Sequence, residues 1–141
     1  MNRRAFLTGV CLATSAPWAY ARAAEPASMA QIVAGIKLQP SWERIGVEEK
    51  SANEYNLTLT YKPKVLISSI STPTADTKQI ARAVLAALVK QGRKPSEERL
   101  KLDVVARQAT RGETGKELVR LFGFTSYDYH TDQLEFTRMG K

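Results

Sequence analysis

Two neighbouring stretches decide the fold, YNLTLTY at residues 55–61 and TADTKQIARAVLAALVKQG at residues 74–92. In the first stretch every second residue is apolar, which is the period of a strand with one buried face. In the second, apolar residues recur every three or four positions, which is the period of a helix with one apolar side. Because both apolar surfaces must be buried, we expect the helix to lie across a sheet that contains the strand.

The ends of this helix carry their own signals. Thr74 or Asp76 is predicted to cap the N-terminus, because their side-chain oxygens accept hydrogen bonds from free backbone N–H groups. Gly92 stands where a left-handed C-terminal cap is expected. The apolar stripe of the helix consists of Ile80, Val84, Leu85 and Leu88.

Further strands are predicted on both sides. Before the first stretch, Ile45 and Val47 alternate with polar residues and lead through KSAN into a hairpin. After it, VLISSI at residues 65–70 follows Pro63 as an edge or bulged strand. Three more strands are predicted in the second half of the chain, at residues 100–107, 116–129 and 133–139.

A short helix is predicted from Ser28, because Met29, Ile32, Val33 and Ile36 have helical spacing. The prediction is an α+β domain of two layers. An antiparallel sheet forms one layer, and the long helix and the short N-terminal helix pack on one face of it.

The first 23 residues differ from the rest. A short charged start, an apolar run over residues 5–16 and several small residues after it are typical of a secretory signal peptide. Cleavage is expected after Ala23, where Ala21 and Ala23 meet the small-x-small rule, and after Ala21 as the second choice. The apolar run is too short and too diluted for a permanent membrane anchor. Residues 1–23 are thus a predicted cleaved signal, and residues 24–141 a single domain.

Within this leader, Arg3 and Arg4 are followed by Ala5, Phe6 and Leu7. The five residues resemble the R-R-x-F-L core of the twin-arginine (Tat) export signal. The resemblance covers only the leader, and an ordinary Sec signal that begins with two arginines is the alternative. Both routes cross the bacterial inner membrane, so the resemblance implies that the mature protein works in the periplasm.

Composition excludes several classes of function. The single cysteine, Cys11, leaves with the signal, so the mature chain has no thiol for redox chemistry, thiolate catalysis or zinc binding. The formal net charge of +7 falls by the three leader arginines to +4, which describes a mildly basic domain. We predict no cofactor, no binding of nucleic acid and no stable membrane anchor after cleavage.

The most polar segment is SYDYHTD at residues 126–132, which contains the single histidine of the chain. In an extended strand Asp128, His130 and Asp132 would project from one face, and carboxylates with an imidazole can bind a divalent metal. In a hairpin turn the three side chains would scatter. The turn is the preferred interpretation, and a metal site or acid–base site is the alternative.

Basic residues gather at the end of the long helix and around the loop at residues 110–115. If the sheet brought the two sets together, one end of the domain would attract anions. The candidate anion-binding or partner-binding residues are Lys90, Arg93, Lys94, Arg107, Arg111 and Lys116.

Together these features predict a non-catalytic periplasmic accessory protein. It would bind another envelope protein, or an anionic envelope polymer, through its basic end or a sheet edge. The alternative is a small periplasmic hydrolase or metal-binding enzyme that uses Asp128, His130 and Asp132.

Overall fold

The structure, a computed structural model, describes residues 27–140. The elements in chain order are α1 (Met29–Ala34), β1 (Trp42–Ser51), β2 (Glu54–Tyr61), α2 (Ser71–Lys90), β3 (Lys101–Arg111), β4 (Glu117–Asp128) and β5 (Gln133–Arg138). The five strands form one sheet in the order β1-β2-β3-β4-β5. The predicted α+β class, with a sheet and two helices, is confirmed.

The sheet is mixed rather than wholly antiparallel. Neighbouring strands are antiparallel except for β2 and β3, which run parallel. The prediction of an antiparallel sheet is wrong at this junction. The connection from β2 to β3 contains the 20 residues of α2, which carry the chain back along the sheet before β3 begins.

Residues 62–70, which include the segment predicted as an edge strand, form a loop instead. Pro63 has no N–H to donate to a neighbouring strand, and the N–H of Val65 turns back to the carbonyl of Lys62 at 3.2 Å, so the chain leaves the sheet after Tyr61. The side-chain amide of Gln108 on β3 holds the loop by donating to the carbonyl oxygens of Lys62 at 2.8 Å and Val65 at 2.7 Å. These hydrogen bonds hold the loop against β3.

Helix α2 begins before the residues predicted to cap it. The hydroxyl of Thr74 donates to the carbonyl of Ile70 at 2.7 Å, and the side chain of Asp76 is buried in the core. The side chain of Ser69 instead accepts the backbone N–H of Ser71 at 3.2 Å. The prediction of a cap at Thr74 or Asp76 is therefore wrong.

The other end of α2 is as predicted. Gly92 has a φ of +86°. Its N–H donates to the carbonyl of Val89 at 2.9 Å, and the N–H of Arg93 donates to the carbonyl of Leu88 at 3.0 Å. This pair of hydrogen bonds is the Schellman motif, which satisfies the last carbonyls of a helix.

The core lies between α2 and the sheet. The apolar residues that define the strand and helix periods are almost completely buried, among them Leu57, Leu59, Ile80, Val84, Leu88, Leu102 and Val104. A polar contact crosses the same layer, since the hydroxyls of Thr77 on α2 and Thr125 on β4 are 2.7 Å apart. A hydrogen bond satisfies both groups, which would otherwise destabilise the core.

A buried carboxylate joins α2 to the first two strands. Asp76 accepts hydrogen bonds from the indole N–H of Trp42 on β1 at 3.1 Å and from the hydroxyl of Tyr61 on β2 at 2.7 Å. Burial, and then the hydrogen bond and the negative charge of Asp76, raise the pKa of Tyr61 far above its ordinary value. The hydroxyl therefore remains a neutral donor.

Helix α1 begins with a capping box. The side chain of Ser28 accepts the N–H of Gln31 at 3.2 Å, and the side chain of Gln31 accepts the N–H of Ser28 at 2.9 Å. Its apolar side contains Val33, which lines a groove of about 410 Å³ together with Ile45 and Val47 of β1.

Candidate functional site

Strands β3 and β4 extend past their neighbours at one end of the sheet. Strand β2 pairs with β3 as far as Gln108, and β5 pairs with β4 from Gly123 onward. Within residues 27–140, the remainder of β3 and β4 forms a two-stranded ribbon around the turn at residues 112–116. We call residues 109–121 the arm.

The arm combines exposed apolar and basic side chains. Leu118, Val119 and Leu121 have 58%, 50% and 47% of their surface exposed. The basic side chains of the arm, also exposed, are Arg111, Lys116 and Arg120. Neighbouring exposed apolar side chains beside a strand edge are typical of a surface that binds another protein.

The structure divides the six predicted anion-binding residues between the two ends of the sheet. The first set lies where α2 leads into the start of β3, and the second lies toward the end of β3 and in the turn that follows. Because a strand rises about 3.3 Å per residue, the first and last residues of β3 are roughly 33 Å apart. The first set is Lys90, Arg93 and Lys94, and the second is Arg107, Arg111 and Lys116.

Two of the three residues at the end of α2, Arg93 and Lys94, contact nearby carboxylates. The guanidinium of Arg93 is 2.6 Å from a carboxylate oxygen of Glu98, and the ammonium of Lys94 is 3.8 Å from Glu97. The hydrogen bond between Arg93 and Glu98 raises the pKa of Arg93 and lowers the pKa of Glu98. These contacts stabilise the loop after α2, so the arm is the better candidate for a binding site.

The three residues of the predicted metal alternative lie in or beside the turn between β4 and β5. Asp128 accepts the backbone N–H of His130 at 2.9 Å, and Asp132 accepts the hydroxyl of Tyr127 at 2.6 Å. The imidazole packs on the ring of Tyr129, with 4.3 Å between ring centres. Each carboxylate thus has a separate partner within the hairpin.

Burial, followed by the hydrogen bond to Asp132, raises the pKa of Tyr127 above its ordinary value. The hydroxyl therefore stays protonated and continues to donate. In the part of the chain that the structure describes, no group of three or more His, Cys, Asp or Glu side chains is arranged to hold a metal ion. Residues 129–132 form a turn between β4 and β5, as the preferred interpretation of this segment predicts.

Sequence patterns identified Arg111 and Lys116 but missed the apolar part of the arm. Leu118, Val119 and Leu121 belong to a run that reads as an ordinary strand. The available signal was the predicted strand at residues 116–129, which is twice as long as the one predicted at 133–139. The length of β3 was not predicted, since its strand was expected to end at residue 107 and ends at Arg111. The part of a strand that has no neighbour on its outer side projects from the sheet.

The predicted leader residues Arg3, Arg4, Phe6, Leu7, Ala21 and Ala23 lie outside the described residues. Between residues 27 and 140, none of the helices has the length and apolar character needed to cross a membrane. Comparison with protein-family models, curated proteins and solved structures finds no match to this chain.

Proposed function

We propose that this chain is a non-catalytic periplasmic protein that binds another envelope protein through the arm. The observation that supports the proposal is the combination of exposed apolar and basic side chains on a projecting ribbon. The unpaired strand edge can add a strand from a partner, and the apolar side chains can bury surface against it. The three basic side chains of the arm outnumber its two exposed carboxylates, Glu113 and Glu117, and favour an acidic partner.

An anionic envelope polymer is the second candidate partner. It would use Arg111, Lys116 and Arg120 in the same way, but it would leave the three large apolar side chains exposed to water. The apolar half of the arm therefore favours a protein. Arg107 lies at the base of the arm, where it pairs in register with Leu121.

Photo-cross-linking in cells tests this proposal. We expect a photoreactive residue at Val119 to cross-link to an envelope protein. The double substitution Arg111→Glu with Lys116→Glu should lower the yield about tenfold, equivalent to about 1.4 kcal/mol of binding free energy. Arg82 on the exposed side of α2 is the matched control position, and it should give no cross-linked protein. Equal yields from both positions would show that the arm is not the binding surface.

Serine substitution separates the two kinds of partner. Val119→Ser removes apolar surface and leaves the charges of the arm unchanged, so it should weaken binding to a protein. Binding that this variant leaves intact, while Arg111→Glu abolishes it, would show that the partner is an anionic polymer.

The export route has its own test. If residues 3–7 are a twin-arginine signal, the double substitution Arg3→Lys with Arg4→Lys should leave the protein in the cytoplasm in its uncleaved form. Cell fractionation with an antibody to the mature chain measures the outcome, with the unchanged protein as the control. Undiminished export of the variant would assign the leader to the Sec route, and the periplasmic location would still stand.

We further infer that both helices cover the same face of the sheet. Helix α2 contacts Thr125, which pairs in register with the buried Val104. Helix α1 shares a groove with Ile45, which pairs with the buried Leu59. Val104 also pairs with Leu57, which is two residues from Leu59 on β2. Directly paired residues share a face, and residues two apart on one strand do also, so all these side chains lie on one side. The other face then has no helix from the described residues.

A further inference from the structure

The face of the sheet opposite the helices carries its charges in rows. Residues that are aligned across the strands form three successive rows on this face. The basic row contains Arg44, Thr60, Arg107 and Leu121. The neutral row contains Gly46, Thr58, Val105, Phe124 and Thr137. The acidic row contains Glu48, Asn56, Asp103, Ser126 and Glu135.

The two charged rows have opposite sign. The basic row has two arginines, of which Arg44 also contacts the carboxylate of Glu43 at 3.1 Å. The acidic row has three carboxylates, with the ammonium of Lys50 beside Asn56 at its edge. Because residues two apart on a strand are about 6.6 Å apart, the charged rows are separated by roughly 13 Å, with the neutral row between them.

The neutral row is partly apolar and accessible to solvent. Val105 and Phe124, at its centre, are only half-buried. In the basic row, the Nε–H group of Arg107 is shielded from solvent and has no acceptor among the described residues. This group is enclosed within its own chain, so only the accessible part of the half-buried Arg107 side chain can contact another molecule.

We propose that a second copy of this chain covers this face. A two-fold axis along the neutral row turns the second sheet over and reverses its strands, so that each basic row faces the acidic row of the other copy. On the central strand β3, Arg107 then lies opposite the partner's Asp103, and Val105 lies opposite the partner's Val105. Such an interface is isologous, and packed sheets are about 10 Å apart.

The order of the charged rows favours this arrangement over one in which the strands of the two copies run parallel. Two copies packed with parallel strands would place each basic row against the other basic row, and like charges repel. The twist of the two sheets turns their strands by about 30°, so the contact is best aligned on β3 and weaker toward the edges. Arg107 and Asp103 are therefore the pair that matters most.

The dimer is expected to be weak. Five strands at about 4.8 Å spacing and three rows give a face of roughly 24 Å by 20 Å. This footprint is smaller than the roughly 800 Å² that each partner contributes to a standard interface, so dimerisation should depend on protein concentration and weaken with salt. The dimer face shares only Leu121 with the arm, and dimerisation does not depend on the partner proposed for the arm.

Sedimentation velocity over a range of concentrations tests the dimer, with a reductant present because Cys11 could link two chains. We expect Arg107→Glu to raise the dimer dissociation constant at least tenfold, and Asp103→Arg to do the same. The two substitutions together restore opposite charges across the axis, and should return the constant to within about threefold of the original. Arg82→Glu on α2 makes the same change in net charge as Arg107→Glu, away from the face, and should leave the dimer unchanged.

Edge strand β1 provides a second pair of opposite charges for an independent test. Arg44 and Glu48 on β1 are exposed, so Arg44→Glu and Glu48→Arg should weaken the dimer singly and restore it together even if a change on β3 impairs folding. A chain that remains monomeric at every concentration would overturn the proposal. So would a dimer that the single charge reversals leave intact, or a failure of both double variants to restore it.

Discussion

Replacement of Gly123 by alanine is expected to lower the free energy of unfolding by about 4 kcal/mol, at the upper end of single substitutions. The residue has a φ of +155° and lies next to the irregular step where β3 and β4 change register. A methyl group there would overlap the carbonyl oxygen of Thr137 and approach the ring of Phe136 to 2.5 Å. Because the carbonyl belongs to the backbone of β5, relief requires the two strands to separate.

Urea unfolding measures this effect, and Gly92→Ala is the matched control. Gly92 also has a positive φ, of +86°, but no heavy atom lies within 4 Å of an added methyl group. Its substitution should cost only the strain of the left-handed conformation, about 1 kcal/mol. Equal losses for the two variants would mean that backbone strain, rather than the contact with β5, determines the result.

The substitution Asp76→Ala should lower the free energy of unfolding by about 3 kcal/mol. It removes the acceptor for the indole N–H of Trp42 and the hydroxyl of Tyr61, whose residues are 1% and 0% exposed. Each buried donor left without a partner costs about 1–3 kcal/mol. Because the three residues belong to α2, β1 and β2, the loss should also appear as weaker hydrogen-exchange protection in the first hairpin.

Asp76→Asn is the control, because it keeps the shape of the side chain and one hydrogen-bond acceptor. An asparagine keeps a carbonyl oxygen that can accept from Trp42 and Tyr61, so it should lose less than half as much stability as the alanine variant. Urea unfolding of the two variants, with Tyr61→Phe as a third, compares these contributions. A loss below 1 kcal/mol for Asp76→Ala would contradict the role of this carboxylate in joining the elements.

Local periodicity was sufficient to predict β2 and α2, because their patterns depend only on which side of each element is buried. The Schellman motif at Gly92 was predictable for a similar reason, since only a residue without a side chain adopts this conformation at little cost. The N-terminus of α2 was not. Asp76 has the chemistry of a cap, but its partners Trp42 and Tyr61 are 34 and 15 residues away in the sequence, where a local pattern cannot indicate them.

The parallel pairing of β2 with β3 was also beyond the sequence patterns. Alternation reports that Leu57 and Val104 face the core, but it is the same for parallel and antiparallel neighbours. The direction of the strands was also needed to predict the candidate site. The basic residues were identified by type, whereas their division between the two ends of the sheet follows from the direction of β3 and could be seen only with the topology.

The parallel pairing also bears on the timing of export. Tyr55 pairs with Leu102 and Tyr61 with Gln108, so the centre of the sheet forms only after most of the 141 residues have left the ribosome. Contacts this distant in sequence form late, because the intervening chain must first be closed into a loop. The proposed leader would therefore emerge well before the sheet can be completed. A pathway that transports unfolded chains would have ample time to engage it, whereas the proposed twin-arginine route must wait until synthesis is nearly finished.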